Sequence, residues 1–159
     1  MGQFWMELLP EKAPLSVRRF LKLVWTKQYD GTIFHRAIPG FLIQGGGWDP
    51  HMRRRPSGAP LLDESDNGLH NLRGTVAMAR LDLEPDSGTG QFFINLADNL
   101  NLDFRGHHPL ARGYAVFARI LSGMEVVDRI AAVRTCRRKP FASDVPCTPV
   151  VIEHITRVR

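Results

Sequence analysis

Residues 31–47 read GTIFHRAIPGFLIQGGG, with two short β-like runs, 32–38 and 41–44, on either side of a Pro-Gly pair. Pro and Gly end strands and form turns, so this pattern predicts two strands joined by a short connection. The segment has an arginine, a glutamine and several apolar side chains, but no cysteine, serine or aspartate. Its chemistry is therefore not that of a nucleophile or of a pair of acids.

The strand-and-turn pattern continues along the rest of the chain. Residues 4–9 predict a first strand that stops at Pro10, and further β-like runs cover 74–80, 91–96 and 114–120. The polar stretch 45–73 is long for a connection within a compact domain, unless such a loop is functional or packed on itself.

Two segments have helical periodicity. Between Pro14 and Trp25, apolar Val17, Phe20, Leu21 and Val24 recur at helical spacing. A second helix is predicted in SGMEVVDRIAAV, after Gly123, and the chain closes with alternating strand residues in TPVVIEHITRV. Many short strands with only two helices favour an antiparallel barrel or sandwich, with one helix over each open end of a barrel.

Composition predicts one globular domain. The chain has 159 residues, 43% of them hydrophobic and 23% charged, and no apolar run approaches the ~20 residues that span a bilayer. The net charge is +5, concentrated in Arg53–Arg55 and in a second run from Arg134 to Lys139. Neither run has interleaved aromatic residues for stacking on bases, so solvated loops are favoured over a polyanion site. We expect no nucleic-acid partner and no membrane association.

The two cysteines, Cys136 and Cys147, lie in a segment predicted to be irregular. Their spacing permits a disulfide, but two cysteines do not make a disulfide scaffold, and free thiols are favoured. The N-terminus MGQFWMELL has no secretory signal. This favours the cytoplasm, or the periplasm if the sequence was trimmed.

Common catalytic motifs are missing. The glycines of QGGG fit neither a dinucleotide fingerprint nor a phosphate loop, and Ser87 lacks the Gly-x-Ser-x-Gly pattern of a hydrolase. Adjacent His107 and His108 would point to opposite faces of a strand, which disfavours zinc. His35 is predicted to be a histidine hydrogen-bonded within the fold rather than a ligand or base. In QFFIN, alternation puts Phe92 and Phe93 on opposite faces, so only one belongs to the core.

Four blocks of the sequence, FHRAIPGFLIQGGG, RGTVAMAR, GQFFIN and GYAVFARILSGMEVVDRI, occur in this order. Together they resemble the cyclophilin-type peptidyl-prolyl isomerases, especially the bacterial members, from about Gly2 to Val158. The resemblance implies a closed eight-stranded antiparallel β-barrel capped by two α-helices, in a single domain covering residues 1–159. It also implies a monomer without cofactor or metal that isomerises Xaa-Pro bonds in proline-containing peptides and folding proteins.

The resemblance also assigns site residues. Arg36 matches the catalytic arginine, whose guanidinium donates toward the prolyl nitrogen of the twisted amide. Gln44 matches the glutamine that anchors the substrate backbone, and Ala79 and Arg80 match the strand along which the peptide lies. The positions that match the apolar proline pocket are Phe41, Leu42, Phe93 and Leu102.

Three departures from the family pattern are expected to matter. Asn101 stands where tight cyclosporin binders carry tryptophan, so weak cyclosporin binding is expected. Tyr114 replaces a pocket histidine, and its ring packs similarly while its hydroxyl still donates. Residues 104–112 are longer than in compact members. Two alternatives remain open, a non-catalytic proline-binding or chaperone module on the same barrel and a basic nucleic-acid-binding domain.

Overall fold

In a computed structural model of the protein, residues 1–158 form nine β-strands, two α-helices and two short 3-10 helices. The strands are β1 (Trp5–Leu8), β2 (Thr32–Ile38), β3 (Leu42–Gly45), β4 (Thr75–Met78), β5 (Phe92–Asn95), β6 (Val116–Ser122), β7 (Thr135–Arg138), β8 (Phe141–Pro146) and β9 (Val151–Ile152). The helices are α1 (Pro14–Trp25) and α2 (Met124–Ala131), and the 3-10 helices cover Pro85–Ser87 and Leu100–Leu102.

Seven strands form one curled antiparallel sheet, in the order β1-β6-β4-β5-β3-β2-β9. This confirms the prediction of a mainly β, antiparallel fold with two helices. Within residues 1–158, the edge strands β1 and β9 do not pair, so the sheet is an open half-barrel rather than a closed barrel of eight strands. Pro10 follows β1 and Pro149 precedes β9; proline lacks the N–H that a longer ladder would need, which keeps both edges short.

The interior core is a cluster of apolar side chains between the sheet and both helices. Phe20 of α1 is at its centre, with ring centroids 5.1 Å from Tyr29, 5.7 Å from Phe92 and 5.4 Å from Phe117. Helix α2 adds Val126, Val127, Ile130 and Ala131. Both helices are thus held by the apolar stripe that their sequences predicted. Among residues 1–158, no helix has the length and apolar character needed to cross a membrane.

The long segment 45–73 is fastened to α1. The Glu64 carboxylate accepts hydrogen bonds from the backbone N–H groups of Leu15 (2.9 Å) and Ser16 (2.8 Å), and so caps the first turn of the helix. Arg19 donates to the carbonyls of Ser57 (2.9 Å) and Ala59 (2.8 Å). These bonds explain how a stretch of this length remains ordered in a small domain.

Strands β7 and β8 form a hairpin that the sequence did not predict. The hairpin packs on β2 through Phe141, whose ring lies 5.1 Å from that of His35 and 5.2 Å from that of Trp48. Cys136 lies in β7 and Cys147 just after β8, and both are free thiols in this structure. The final strand is shorter than predicted, because only Val151 and Ile152 pair with β2.

Residues 104–112 form a loop that is closed at its base. The Tyr114 N–H donates to the Leu102 carbonyl (2.9 Å), and the Arg105 N–H donates to the Ala111 carbonyl (2.8 Å). A Cβ at Gly113 would lie 2.4 Å from the carbonyl carbon of Asp103. Glycine is therefore required where the returning chain crosses the outgoing one.

Candidate active site

A second apolar cluster lies apart from the interior core, and we call it the pocket cluster. Its buried members are Leu42, Ala77, Phe93 and Val116, and the partly buried side chains packed against them are Phe41, Leu69, Ala79, Leu102 and Tyr114. Phe92 belongs to the interior core, whereas Phe93 belongs to the pocket cluster. The alternation predicted in QFFIN therefore separates the two clusters across one strand.

One row of cross-strand partners brings the predicted catalytic residue to this cluster. Arg36 of β2 is opposite Gln44 of β3, Gln44 is opposite Phe93 of β5, and Phe93 is opposite Ala77 of β4. Directly opposed residues share a face of the sheet, and adjacent strands are about 4.8 Å apart. Arg36 and Phe93 therefore lie on the same face, about two strand spacings from each other.

The two polar side chains of this row, Arg36 and Gln44, form few interactions with the rest of the protein. Arg36 is half-buried, and within residues 1–158 its guanidinium forms no side-chain hydrogen bond and no ion pair. Gln44 Nε2 donates to Gln91 Oε1 at 3.3 Å. A Cβ at Gly47 would lie 2.3 Å from the Gln91 side chain, so the last glycine of QGGG makes room for this pair. The donors of Arg36 remain available for a substrate.

Tyr114 forms the opposite wall of the pocket cluster. Its ring packs edge-on against that of Phe93 at 5.5 Å, its hydroxyl donates to Asp82 (2.8 Å), and the Arg80 guanidinium lies 4.5 Å over its face. Burial, together with the Asp82 carboxylate, raises the pKa of Tyr114 to about 12. The phenol therefore stays protonated wherever the protein is folded under ordinary conditions.

The guanidinium of Arg80 is bonded to the protein itself and is not free to bind a peptide. Its Nε donates to the carbonyl of Gly113 (2.9 Å), and its Nη1 donates to those of Leu81 and Asp82 (both 2.8 Å). Ala79 and Arg80 both follow the end of β4 rather than lie within it. Ala79 contacts the pocket cluster, whereas the Arg80 side chain is engaged in holding the adjacent turn.

Three buried asparagines, Asn71, Asn95 and Asn99, link the backbone around the pocket cluster, and we call them the asparagine framework. Each is no more than 6% exposed. Asn99 Nδ2 donates to the Phe41 carbonyl (2.8 Å) and to Asn95 Oδ1 (2.8 Å), and Asn95 Nδ2 donates to Asn71 Oδ1 (3.1 Å). The side-chain amides thus form a continuous chain that ends on a pocket residue.

The other end of the framework reaches two more pocket residues. Asn71 Nδ2 is 3.0 Å from the Leu102 carbonyl and 3.3 Å from that of Tyr114. The Asn71 N–H donates to Asp103 Oδ1 (2.7 Å). Burial opposes ionisation of Asp103, but hydrogen bonds from Asn71 and His70 outweigh it and lower the pKa of the carboxyl. Three carbonyls around the cluster are therefore fixed by two side-chain amides.

His35 is buried beside this site without being part of it. It is 2% exposed, and within residues 1–158 its Nδ1 has no hydrogen-bond partner. The prediction that His35 is hydrogen-bonded within the fold is therefore wrong for Nδ1, since the ring is held by packing on Phe141. Burial, and to a lesser extent the Arg36 charge, lower the pKa of His35 to about 4. Ser87 is structural, since its hydroxyl donates to the Glu84 carbonyl.

Several residues of the site were not identified from the sequence. Gln91 lies in the block GQFFIN, within the run 91–96 that was predicted to be a strand, and this position was the available signal. The others, Leu69, Ala77, Val116 and the asparagine framework, are ordinary strand or loop residues whose proximity arises only from the sheet. In the part of the chain covered by the structure, no group of three or more His, Cys, Asp or Glu is placed to hold a metal ion.

Comparison with known proteins gives the same family as the resemblance seen in the sequence. Residues 1–157 match the family described as cyclophilin type peptidyl-prolyl cis-trans isomerase/CLD. The chain is 48% identical over 152 residues to peptidyl-prolyl cis-trans isomerase A of Dickeya dadantii, covering 96% of this chain and 77% of that protein. It is 45% identical over 155 residues to peptidyl-prolyl cis-trans isomerase B of Escherichia coli, covering 98% and 93%.

A solved structure has the same fold. The cyclophilin type peptidyl-prolyl cis-trans isomerase of Cryptosporidium parvum, crystallised in the presence of the dipeptide Ala-Pro, superposes with a TM-score of 0.74 at 25% identity. The alignment covers 96% of this chain and 90% of that one. The chain belongs to the cyclophilin-type peptidyl-prolyl cis-trans isomerase family and has peptidyl-prolyl cis-trans isomerase activity.

Proposed function

We propose that the pocket cluster holds the proline ring of a substrate while Arg36 lowers the barrier to rotation about the preceding amide bond. The observation that carries this proposal is the row Arg36–Gln44–Phe93, which puts a guanidinium with free donors beside an apolar pocket. An apolar pocket grips the ring without competing for the hydrogen bonds of the amide.

The chemistry requires no bond to be made or broken. Resonance gives the peptide C–N bond a rotation barrier of about 18–20 kcal/mol, and twisting the bond localises the lone pair on the prolyl nitrogen. A guanidinium donor aimed at that nitrogen stabilises the twisted state, and it stays charged at any working pH. Lowering the barrier by roughly 7 kcal/mol would shorten the reaction from tens of seconds to less than a millisecond.

The same arrangement suggests how the peptide lies. The related enzyme of Cryptosporidium parvum was crystallised with Ala-Pro, and we propose that this chain likewise binds proline-containing peptides. Gln44 and Gln91 have amide groups suited to the substrate backbone, and Ala79 leaves room for an extended chain beside the pocket. We propose that its natural substrates are folding proteins with exposed Xaa-Pro bonds.

Replacing Arg36 tests the proposal. Arg36→Ala should leave the fold intact, because the guanidinium forms no bond within residues 1–158, but should lower kcat/KM on a Xaa-Pro peptide by about 100-fold or more. Arg36→Lys should also be poor, since a lysine ammonium cannot reproduce the planar fork. Arg119→Ala, at an exposed arginine of β6 that pairs with Glu7, is the matched control. Near wild-type turnover in a folded Arg36→Ala protein would refute the catalytic role.

Cyclosporin inhibition tests the rim of the pocket. Asn101 is exposed in the 3-10 helix Leu100–Leu102, directly before a pocket residue. Asparagine has neither the apolar face nor the reach of an indole. We expect inhibition weaker by one to two orders of magnitude, roughly 1.4–2.8 kcal/mol, than in a tryptophan-bearing relative. Inhibition curves for wild type and Asn101→Trp should differ, with tighter inhibition of the variant; equal, tight inhibition of both would contradict the assignment.

A further inference from the structure

The two positively charged runs, about 80 residues apart in sequence, meet on one surface. Arg138 Nη2 donates to the Pro50 carbonyl at 3.0 Å, and the rings of Trp48 and Phe141 pack at 5.2 Å. The turn after β3 and the β7–β8 hairpin therefore touch. We call the positively charged side chains of these two segments the basic surface; Arg53, Arg54, Arg137 and Lys139 are exposed, and Arg138, which joins the segments, is half-buried.

The charge of this surface is largely uncompensated. Within residues 1–158, the one ion pair formed by its members joins Arg53 to Asp49 at 2.8 Å, and the Arg53 side chain remains 75% exposed. Arg54, Arg137 and Lys139 are exposed as well. The whole chain has 21 Lys and Arg against 16 Asp and Glu, so these five side chains, with one paired carboxylate, account for most of its net charge.

The hairpin that carries part of the basic surface packs on β2, the strand of Arg36. Phe141, the cross-strand partner of Arg138, packs on His35 at 5.1 Å, and His35 is the residue before Arg36. An extended polypeptide advances about 3.3 Å per residue. A substrate tail that runs from Arg36 towards the β7–β8 hairpin would therefore approach these charges.

We propose that the basic surface recruits acidic segments that flank the proline of substrate polypeptides. A cluster of exposed positive charges beside the site raises the local concentration of a negatively charged substrate and speeds its encounter. A nucleic acid is a poorer fit, because the aromatic rings at this surface, Trp48 and Phe141, pack edge-on against each other and are not free to stack on bases. This inference rests on the proposed function and specifies its preferred substrates.

The test compares peptides that share an Ala-Ala-Pro-Phe core. One set carries four glutamates after a short Gly-Ser linker, at either end, and the matched set carries four glutamines. Exchange measured by NMR keeps protease preferences out of the comparison. We expect the glutamate tail at one of the two ends to raise kcat/KM about tenfold at 20 mM salt, and the gain to shrink towards unity at 500 mM salt.

Substitutions locate the effect. The triple variant Arg53→Ser, Arg54→Ser, Lys139→Ser should lose the gain from the glutamate tail but keep wild-type activity on the glutamine peptide. The matched control removes the same charge from α1 and the residues before it, with Lys12→Ser, Arg18→Ser and Lys22→Ser, and should keep the gain. All six residues are exposed. Replacing Arg53 removes its ion pair with Asp49, but the Asp49 carboxylate keeps its hydrogen bonds from the backbone N–H groups of residues 51 and 53, so neither variant is expected to unfold the protein.

The outcomes separate the two proposals. If the glutamine peptide is not isomerised, the proposed function fails. If that peptide is isomerised but the glutamate tail brings no gain, or both triple variants lose the gain equally, the recruitment of acidic segments is refuted. If the tail brings no gain but a fluorescent single-stranded RNA binds the wild type and not the Arg53, Arg54, Lys139 variant, the surface binds nucleic acid instead.

Discussion

The interior core and the pocket cluster are built from similar side chains but are held in place differently. The interior core is a set of aromatic rings in mutual contact, with Phe20, Phe92 and Phe117 almost completely excluded from water. The pocket cluster has Phe93 and Tyr114 in one such contact, and its partly buried members lie at the surface. The asparagine framework lies behind the pocket cluster and holds it by hydrogen bonds, whereas the rings of the interior core are held by packing on one another.

The difference follows from what each cluster must do. A core is enclosed on every side, so burial of apolar area alone holds its members together. A binding pocket needs one open side, and an open apolar cluster lacks the contacts that would fix its walls. Hydrogen bonds from Asn71 and Asn99 to three pocket carbonyls supply that constraint from behind. The pocket is thus apolar where it meets substrate and polar where it joins the fold.

The largest effects are expected from replacing two neighbouring phenylalanines, Phe92 and Phe93, one at a time. Phe92→Ala removes a ring from the interior core and should lower the free energy of unfolding by about 4 kcal/mol. Phe93→Ala should cost less stability, because water can enter the open pocket, but should lower kcat/KM on a Xaa-Pro peptide by about 100-fold. Urea denaturation and peptide kinetics on both variants provide the measurements. Equal stability losses with equal residual activities would mean that the two clusters are not functionally distinct.

Acid should weaken the fold through His35, a buried residue outside both clusters. The pKa of His35 is about 4 in the folded protein, against about 6.5 in an unfolded chain. The unfolded state therefore takes up a proton first as the pH falls. The contribution of neutral His35 is complete above pH 6.5 and is lost progressively from pH 6.5 to 4, by up to about 3 kcal/mol.

His35→Phe is the control for this acid effect, since its ring can pack on Phe141 and cannot titrate. Unfolding free energies of both proteins, measured by urea denaturation from pH 7 to pH 4, should fall more steeply for the wild type. Parallel curves for the two proteins would exclude His35 as the source of the acid sensitivity.

The smallest of the three expected effects concerns the asparagine framework. Asn99→Ala leaves Asn95 Oδ1 without a donor and removes one of the two donors to the Phe41 carbonyl, which keeps its bond from the Leu96 N–H (2.9 Å), so it should cost about 2 kcal/mol of stability. Because Phe41 is then held by one hydrogen bond instead of two, KM for a Xaa-Pro peptide should rise about fivefold while kcat changes little.

Thr32→Val provides a matched control for Asn99→Ala. Thr32 Oγ1 donates to the Tyr29 carbonyl at 2.6 Å, is equally buried and lies at the far end of β2. Its loss should lower stability without changing KM. If both variants raise KM alike, the framework supports the fold in general and not the pocket.

The sequence predicted those parts of the fold that depend on local pattern. Helix α1 begins at Pro14 and ends at Trp25, as its apolar spacing indicated, and β2 covers 32–38 as predicted. Alternation correctly separated Phe92 from Phe93. The β7–β8 hairpin escaped prediction because TCRRKPFASDVP has no clear alternation and is stabilised by packing on β2.

The site could be predicted only from residues that are neighbours in the sequence or that match a motif of the family. Six of the predicted residues, Phe41, Leu42, Ala79, Phe93, Leu102 and Tyr114, lie together in the pocket cluster. The asparagine framework could not be predicted, because Asn71, Asn95 and Asn99 are spread over three segments and meet only once β4 and β5 pair. The cap of α1 by Glu64 likewise depends on a contact 49 residues away.

The loop of residues 104–112 leaves and rejoins the fold at almost one point. Leu102 and Tyr114 are joined by a backbone hydrogen bond, and Gly113 lets the two chains cross. Arg112 ties the returning end of the loop to Asp63 at 3.4 Å, whereas His107, His108, Pro109 and Leu110 at its tip are exposed. The length of the tip should therefore have little influence on the pocket walls, since the entropic cost of closing a flexible loop grows only slowly with its length. A protein engineer can use the tip to insert a tag or a reporter peptide, provided that Arg112 is kept.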